Sequence, residues 1–159
     1  MNMINKATFD WKKYLLECMN STDYCSIATV DDKGVWVNPV YFAWDEEFNF
    51  FFISMIPKVR HMTNIKNDPR VSMAISKTEQ KGDVIGVYLE GQAKILEDEQ
   101  ERKHAHQTYY GRKGSLEQNE FALNNSKWFF VKVTPERIYY FNSNSFGEKR
   151  QEVPMGKLI

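Results

Sequence analysis

The chain opens with a stretch of helical periodicity and then changes to strand-like alternation. Between about Thr8 and Asn20, Phe9, Trp11, Tyr14, Leu15 and Cys18 fall near one side of a helix. Asn20-Ser21-Thr22-Asp23 supplies turn chemistry at its end. Strand patterning begins at Tyr24. Cys25 to Val30 precedes Asp31-Asp32-Lys33-Gly34, a hairpin signal, and a long strand is expected from Val35 to Trp44, closed by the turn Asp45-Glu46-Glu47. Phe48 to Ser54 is almost wholly apolar, the pattern of a strand buried on both faces.

Pro57 suits the first position of a second helix, with Val59, Met62 and Ile65 on one side, Arg60 roughly opposite, and Asn67-Asp68-Pro69 as the stop. Alternation returns at Val71 to Ser76 and at Val84 to Leu96, where Gly91 predicts a bulge or a close backbone approach. Glu97 to Tyr110 reads as a helix stopped by Gly111, and Ser115 with Gln118 forms a capping box for another short one. Trp128 to Val133 and Arg137 to Phe141 close the pattern as two strands joined by Thr134-Pro135-Glu136, after which a polar tail begins at Asn142. Six or seven antiparallel strands with flanking helices predict a mainly β, α+β fold, a small barrel rather than a parallel sheet. A single domain over residues 1–159 is expected, with its core at about 11–141 and its tail at 142–159.

Charge narrows the function classes. Lys plus Arg and Asp plus Glu both number 21, so no global field favours nucleic acid or an anionic membrane. Apolar runs such as Phe50 to Ile53 are far too short to span a bilayer, and residues 1–10 carry no apolar leader core; a cytoplasmic protein is expected. Cys18 and Cys25 are the only cysteines, which makes neither a disulfide framework nor a zinc signature. Aromatic residues make up 14% of the chain, enough to line a core or to offer stacking surfaces.

Candidate chemistry concentrates at Pro57-Lys58-Val59-Arg60-His61. A helix start offers unpaired N–H groups and a partial positive charge, so Lys58 and Arg60 beside it make a seat for a phosphate. Neither a GxGxxG fingerprint nor a P-loop is present, so a nucleotide-like cofactor would bind without either common phosphate loop. Glu101, His104 and His106 share a helix, but the two histidines point about 200° apart and do not suit one metal. A GxSxG elbow is absent, so hydrolase chemistry has no specific support, and no catalytic residue is singled out.

Seven ordered motifs carry a family resemblance: Ser26-Ile27-Ala28-Thr29-Val30-Asp31, Val37-Asn38-Pro39-Val40-Tyr41-Phe42, Phe51-Phe52-Ile53-Ser54, Lys58-Val59-Arg60-His61-Met62, Asp68-Pro69-Arg70-Val71-Ser72, Leu89-Glu90-Gly91-Gln92-Ala93 and Val133-Thr134-Pro135-Glu136-Arg137-Ile138. In this order, over roughly Trp11 to Phe141, the chain resembles the pyridoxamine 5'-phosphate oxidase-like split-barrel flavoproteins. That resemblance implies a split β-barrel, a homodimer, and FMN in each of two interface clefts. It implies FMN phosphate contacts from Lys58, Arg60 and His61, a hydroxyl contact from Ser54, and a flavin-lining strand at Asn38, Pro39 and Val40. Matching from the left gives the phosphate to Lys58 and Arg60, matching from Pro69 gives it to Arg60 and His61, and Arg60 is common to both. Trp128 and Phe141 resemble late-strand aromatics that approach the flavin from the partner chain.

The tail Phe146-Gly147-Glu148-Lys149-Arg150-Gln151-Glu152 lacks the Arg-x-His segment that grips substrate phosphate in the true oxidases. The chain therefore looks more like the general stress protein and nitroimidazole-resistance branches. The implied function is FMN-dependent oxidation or reduction of a small molecule, with no metal. Two alternatives stand beside it: a non-catalytic flavin or haem module for sensing or storage, and a deazaflavin-dependent reductase.

Overall fold

The computed structural model describes residues 6–78, 84–113, 123–125 and 127–158. Its elements in chain order are helix α1 (Trp11–Asn20), strands β1 (Tyr24–Asp31), β2 (Gly34–Tyr41), β3 (Ala43–Trp44) and β4 (Phe50–Ser54), helix α2 (Arg60–Asn67), strands β5 (Arg70–Thr78) and β6 (Val84–Ile95), helix α3 (Glu99–Lys113), and strands β7 (Phe129–Asn142) and β8 (Gln151–Glu152). Every strand pairing is antiparallel, and the sheet order is β2-β1-β5-β6-β7-β4-β3, with β8 added beside β7. The first and last strands of that path are separated in the chain by Phe42 alone. A sheet whose opposite edges are covalent neighbours must curl, and here it curls into a half-barrel.

The expected single strand Val35–Trp44 is therefore two strands on opposite edges. Phe42 marks the break: its ring is fully buried and its N–H donates to the Asp23 carbonyl at 3.3 Å. Arg112, from α3, donates to the carbonyls of Phe42 (2.5 Å), Met19 (2.6 Å) and Thr22 (3.0 Å). Its guanidinium also lies over the rings of Phe42 and Trp44, at 4.6 and 3.9 Å from their centroids. One side chain thus ties the end of α1, the α1–β1 turn and the β2–β3 corner to α3.

Several local expectations hold for the physical reasons that produced them. The β1–β2 hairpin turns at Asp31–Gly34, with Gly34 at φ +109° and Asp31 Oδ1 accepting the Lys33 N–H at 2.9 Å. Phe50, Phe51 and Phe52 are all buried, the outer two in the main core and Phe51 in a smaller cluster with Leu96, Ala105 and Phe130. Gly91 sits at a register shift against β7, where a Cβ would collide with the Thr134 carbonyl oxygen. The same bulge absorbs Thr134-Pro135-Glu136, so the two late strands form one continuous β7.

Other boundaries move. Helix α1 begins at Trp11, capped by Asp10, whose carboxylate accepts the Lys13 N–H at 3.1 Å. Pro57 and Lys58 form a turn, and α2 starts only at Arg60. Gly111 lies inside α3, which continues to Lys113. The capping box at Ser115 and Gln118 falls outside the described residues. Beyond Asn142 the chain folds back rather than trailing away: Ser143–Phe146 makes a helical turn, β8 pairs with β7, and Val153 and Leu158 join the core. No helix is long and apolar enough to cross a membrane among the described residues. Both cysteines are buried, which pushes the Cys18 thiol up to about 11 and the Cys25 thiol up to about 12.

Two substitutions test this frame by urea denaturation. Arg112→Met keeps the volume but leaves three part-buried carbonyls without their donor, and a loss of about 3 kcal/mol is expected. An unchanged midpoint would mean that those carbonyls find water instead. Gly91→Ala is expected to cost at least about 2 kcal/mol, because backbone rather than a flexible side chain must yield.

Candidate functional site

A cleft of about 460 Å³ opens where the second half of β2 passes the end of β4 and the start of α2. β2 supplies Asn38, Pro39, Val40 and Tyr41, and β1 supplies Tyr24. Ile53 and Ser54 end β4, and Met55, Ile56 and Val59 follow; His61 comes from α2, Tyr109 from α3, and Trp128 from just before β7. None of these residues is an acid, a lysine or an arginine. Tyr24 and Tyr41 face each other across the β1–β2 register, ring centroids 4.0 Å apart, and Tyr24 donates a hydrogen bond to the Tyr41 hydroxyl. That bond holds the Tyr24 phenol above its usual range. Burial does the same to Tyr109 and lowers the pKa of His61, favouring its neutral form.

Polar capacity at the cleft is specific. Asn38, which lines the cleft, has a buried Oδ1 without a hydrogen-bond partner. The buried Ser54 hydroxyl donates to the Ile56 carbonyl at 3.1 Å, fixing the turn after β4. The start of α2 reaches the cleft through Val59 and His61. Val59, its N-cap, contributes no side-chain cap, and the Thr63 N–H is the first to bond back, to the Val59 carbonyl at 3.1 Å. The first turn of α2 therefore carries N–H groups that lie ahead of its backbone ladder and the positive end of the helix.

Six of the nine residues expected at the cofactor, Asn38, Pro39, Val40, Ser54, His61 and Trp128, line this cleft within one chain, although Trp128 was expected from the partner chain. Lys58 is exposed in the turn just before α2. Arg60 is not among the lining residues. Its guanidinium forms two bonds to Asp31, Nε to Oδ2 at 2.8 Å and Nη2 to Oδ1 at 2.9 Å, and lies 4.8 Å from the Trp36 ring centroid. Phe141 pairs with Gly86 in the sheet, away from its own chain's cleft. Tyr24, Tyr41 and Tyr109 were missed. The hairpin turn at Asp31–Gly34 would have paired Tyr24 with Tyr41 by counting outward along the ladder, whereas nothing local singles out Tyr109.

A larger cleft, about 1010 Å³, lies between α1, α3 and the β3–β4 turn. Three of its polar groups already serve the fold: Asp45 accepts from the Glu47 and Asn49 N–H groups and from the Asn49 amide, His104 Nε2 lies 3.2 Å from Asp45 Oδ2, and Arg112 is the staple described above. Among the described residues, no group of three or more His, Cys, Asp or Glu is arranged to hold a metal ion.

The half-barrel is shared with solved structures of low sequence identity. A conserved hypothetical protein, Rv2991, from Mycobacterium tuberculosis matches with TM-score 0.72 at 17% identity, over 97% of this chain and 98% of that one. A heme binding protein from Mycobacterium smegmatis gives 0.72 at 16% identity, over 99% of this chain and 61% of that one. General Stress Protein 26 from Bacillus anthracis gives 0.65 at 18%, over 91% and 100%. No curated protein is similar enough to count as a relative. The family model described as pyridoxamine 5'-phosphate oxidase matches residues 12–142, from the first turn of α1 to the last residue of β7, and the chain belongs to that family.

Proposed function

We propose that this protein binds FMN in the 460 Å³ cleft and works as a cytoplasmic homodimeric oxidoreductase on a small molecule. The observation that carries the reading is the unpartnered Asn38 Oδ1 in a cleft that also meets the open start of α2. A flavin ring carries an N–H donor at one end of a flat apolar body, and its ribityl chain ends in a dianionic phosphate. The residues present fit both ends: an amide acceptor among apolar and aromatic walls, and helix N–H groups with Lys58 exposed beside them. Bound FMN supplies the hydride and electron transfer, so the protein needs to hold the ring, exclude water and place polar contacts rather than provide a strong acid.

The edge strand supports the dimer. Val35, Trp36 and Val37 are 70%, 39% and 55% exposed on β2, and Met55 and Ile56 are similarly bare at the mouth of the cleft. Apolar exposure along an unpaired strand edge is what a second copy would cover. In that assembly Phe141 belongs to the partner's cleft. Two buried, unpaired thiols fit the reducing cytoplasm.

One observation favours a second reading. His61 faces the cleft in its neutral form, which is the form that ligates iron, and one of the similar structures is a heme binding protein. In that case the ligand would be haem.

Absorbance of the purified protein, before and after FMN is added and excess removed, separates the two. Retained flavin bands are expected, and a Soret band would favour haem. A spectrum that stays blank with either ligand would overturn both. Asn38→Leu is expected to weaken FMN about two- to tenfold in a fluorescence titration, the worth of one neutral hydrogen bond. Sedimentation velocity is expected to give a dimer, and Val37→Lys is expected to give monomer.

A further inference from the structure

The first turn of α2 carries Val59 and His61 into the cleft while its opposite side is locked to the β1–β2 hairpin. The hairpin presents three groups to it. Asp31 grips Arg60 with both oxygens, Trp36 has its ring centroid 4.8 Å from the guanidinium, and Thr29, directly across the ladder from Trp36, is buried with 2% exposure. Asn64, one helical turn beyond Arg60 and only 1% exposed, completes the joint. With its amide oriented to satisfy every partner, it donates to Asp31 Oδ2 at 3.2 Å and to the Arg60 carbonyl at 2.9 Å, and accepts from the Thr29 hydroxyl at 3.0 Å. Helix and hairpin are thus joined by a carboxylate that receives bonds from both Arg60 and Asn64.

A guanidinium already forked onto a carboxylate and 4.8 Å from an indole centroid is poorly placed to serve as a mobile anion ligand, since turning it away would break both of its bonds to Asp31. We propose that Asp31, Arg60 and Asn64 are positioning residues: together they fix the first turn of α2, and so set Val59 and His61, which line the cleft. This rests on the FMN reading for its ligand, but the orientation of His61 reports it independently. Arg60 in this role acts through geometry rather than through charge at the phosphate. The distinction is testable because the two roles respond oppositely to loss of Asp31. A ligand arginine would be released toward the phosphate, whereas a positioning arginine would lose its anchor.

The experiment measures FMN dissociation constants and the His61 ring resonances by NMR for the full chain with Asp31→Asn, Arg60→Ala, Arg60→Lys and the double variant Asp31→Asn/Arg60→Ala. Thermal melts accompany each. The proposal expects Asp31→Asn and Arg60→Ala to weaken FMN alike, by about tenfold, with the double variant no worse than either, as for residues that act as one unit. Arg60→Lys keeps the charge but not the two-bond fork, and is expected to resemble Arg60→Ala. The His61 resonances should shift in all four variants. Unchanged or tighter FMN binding in Asp31→Asn, with Arg60→Lys close to wild type, would overturn the proposal and make Arg60 a phosphate ligand. Should the wild-type chain bind no FMN, the flavin reading fails on its own, and His61 resonances unmoved in Arg60→Lys would then overturn the positioning role as well. Arg60→Lys also serves if Asp31→Asn does not fold.

Discussion

Arg112 fixes the point at which the chain leaves one edge of the sheet for the other. Without a firm corner at Phe42, β2 and β3 would be one strand on one edge, since nothing in their side chains forbids it. The corner costs backbone pairing: the Phe42 carbonyl leaves the ladder, and it needs a donor just as the Met19 carbonyl at the end of α1 and the Thr22 carbonyl in the following turn do. A guanidinium suits this because it offers several N–H groups in a fixed plane and keeps its charge when half-buried, even though burial lowers its pKa. The faces of Phe42 and Trp44 supply part of the solvation that water would otherwise give. The cleft inherits this corner. Tyr41 is the residue before Phe42, and Tyr109 is three residues before Arg112 on the same side of α3, so the staple also sets two walls of the site.

Charge is sorted between the cleft and its surroundings. The lining offers hydroxyls, one amide, one neutral imidazole and aromatic faces, while cations sit at its border or beyond it. Such a floor accepts a flat, weakly polar body and gives a fixed charge no strong partner inside. An anionic group would instead be held at the rim, where helix N–H groups and an exposed lysine meet solvent and a full counter-charge is not required. Arg60 strengthens the rim only indirectly, through the stiffness of α2.

What was legible in the chain was local. Gly34 and Gly91 announced a turn and a bulge because each position tolerates no ordinary side chain: one for its positive φ, the other for a neighbouring carbonyl. The three consecutive phenylalanines of β4 showed a strand buried on both faces because an apolar run without alternation leaves no side for water. The break at Phe42 was hidden, since apolar alternation runs on through it and the guanidinium that makes the corner lies 70 residues away. The C-terminal segment looked like a tail because the chain from Asn142 to Glu152 is mostly polar, and the Val153 and Leu158 that follow bury only where the rest of the core has prepared space. Six of the thirteen residues that line the cleft could be named, because they come from one strand, the end of β4, one helix start and one late aromatic. Arg60 was placed by its neighbours in sequence, but its partner is Asp31, 29 residues earlier, and periodicity carries no information about such a pair.

Ligand binding and self-association are linked on this surface if the cleft is closed by a second copy. Tyr24, Tyr41, Met55 and Ile56 belong to the mouth of the cleft and are also among the most exposed large apolar residues of the described chain. Val35 and Val37 extend the same apolar character along β2. A partner that covers this edge would remove water from the cleft mouth, which strengthens each polar contact inside it. A flat ligand that fills the cleft would in turn present the partner with a continuous surface in place of a hole. Each event then favours the other by the same factor, because linkage between binding equilibria is reciprocal. The apolar rim, a liability in an isolated monomer, is in that case part of the binding site.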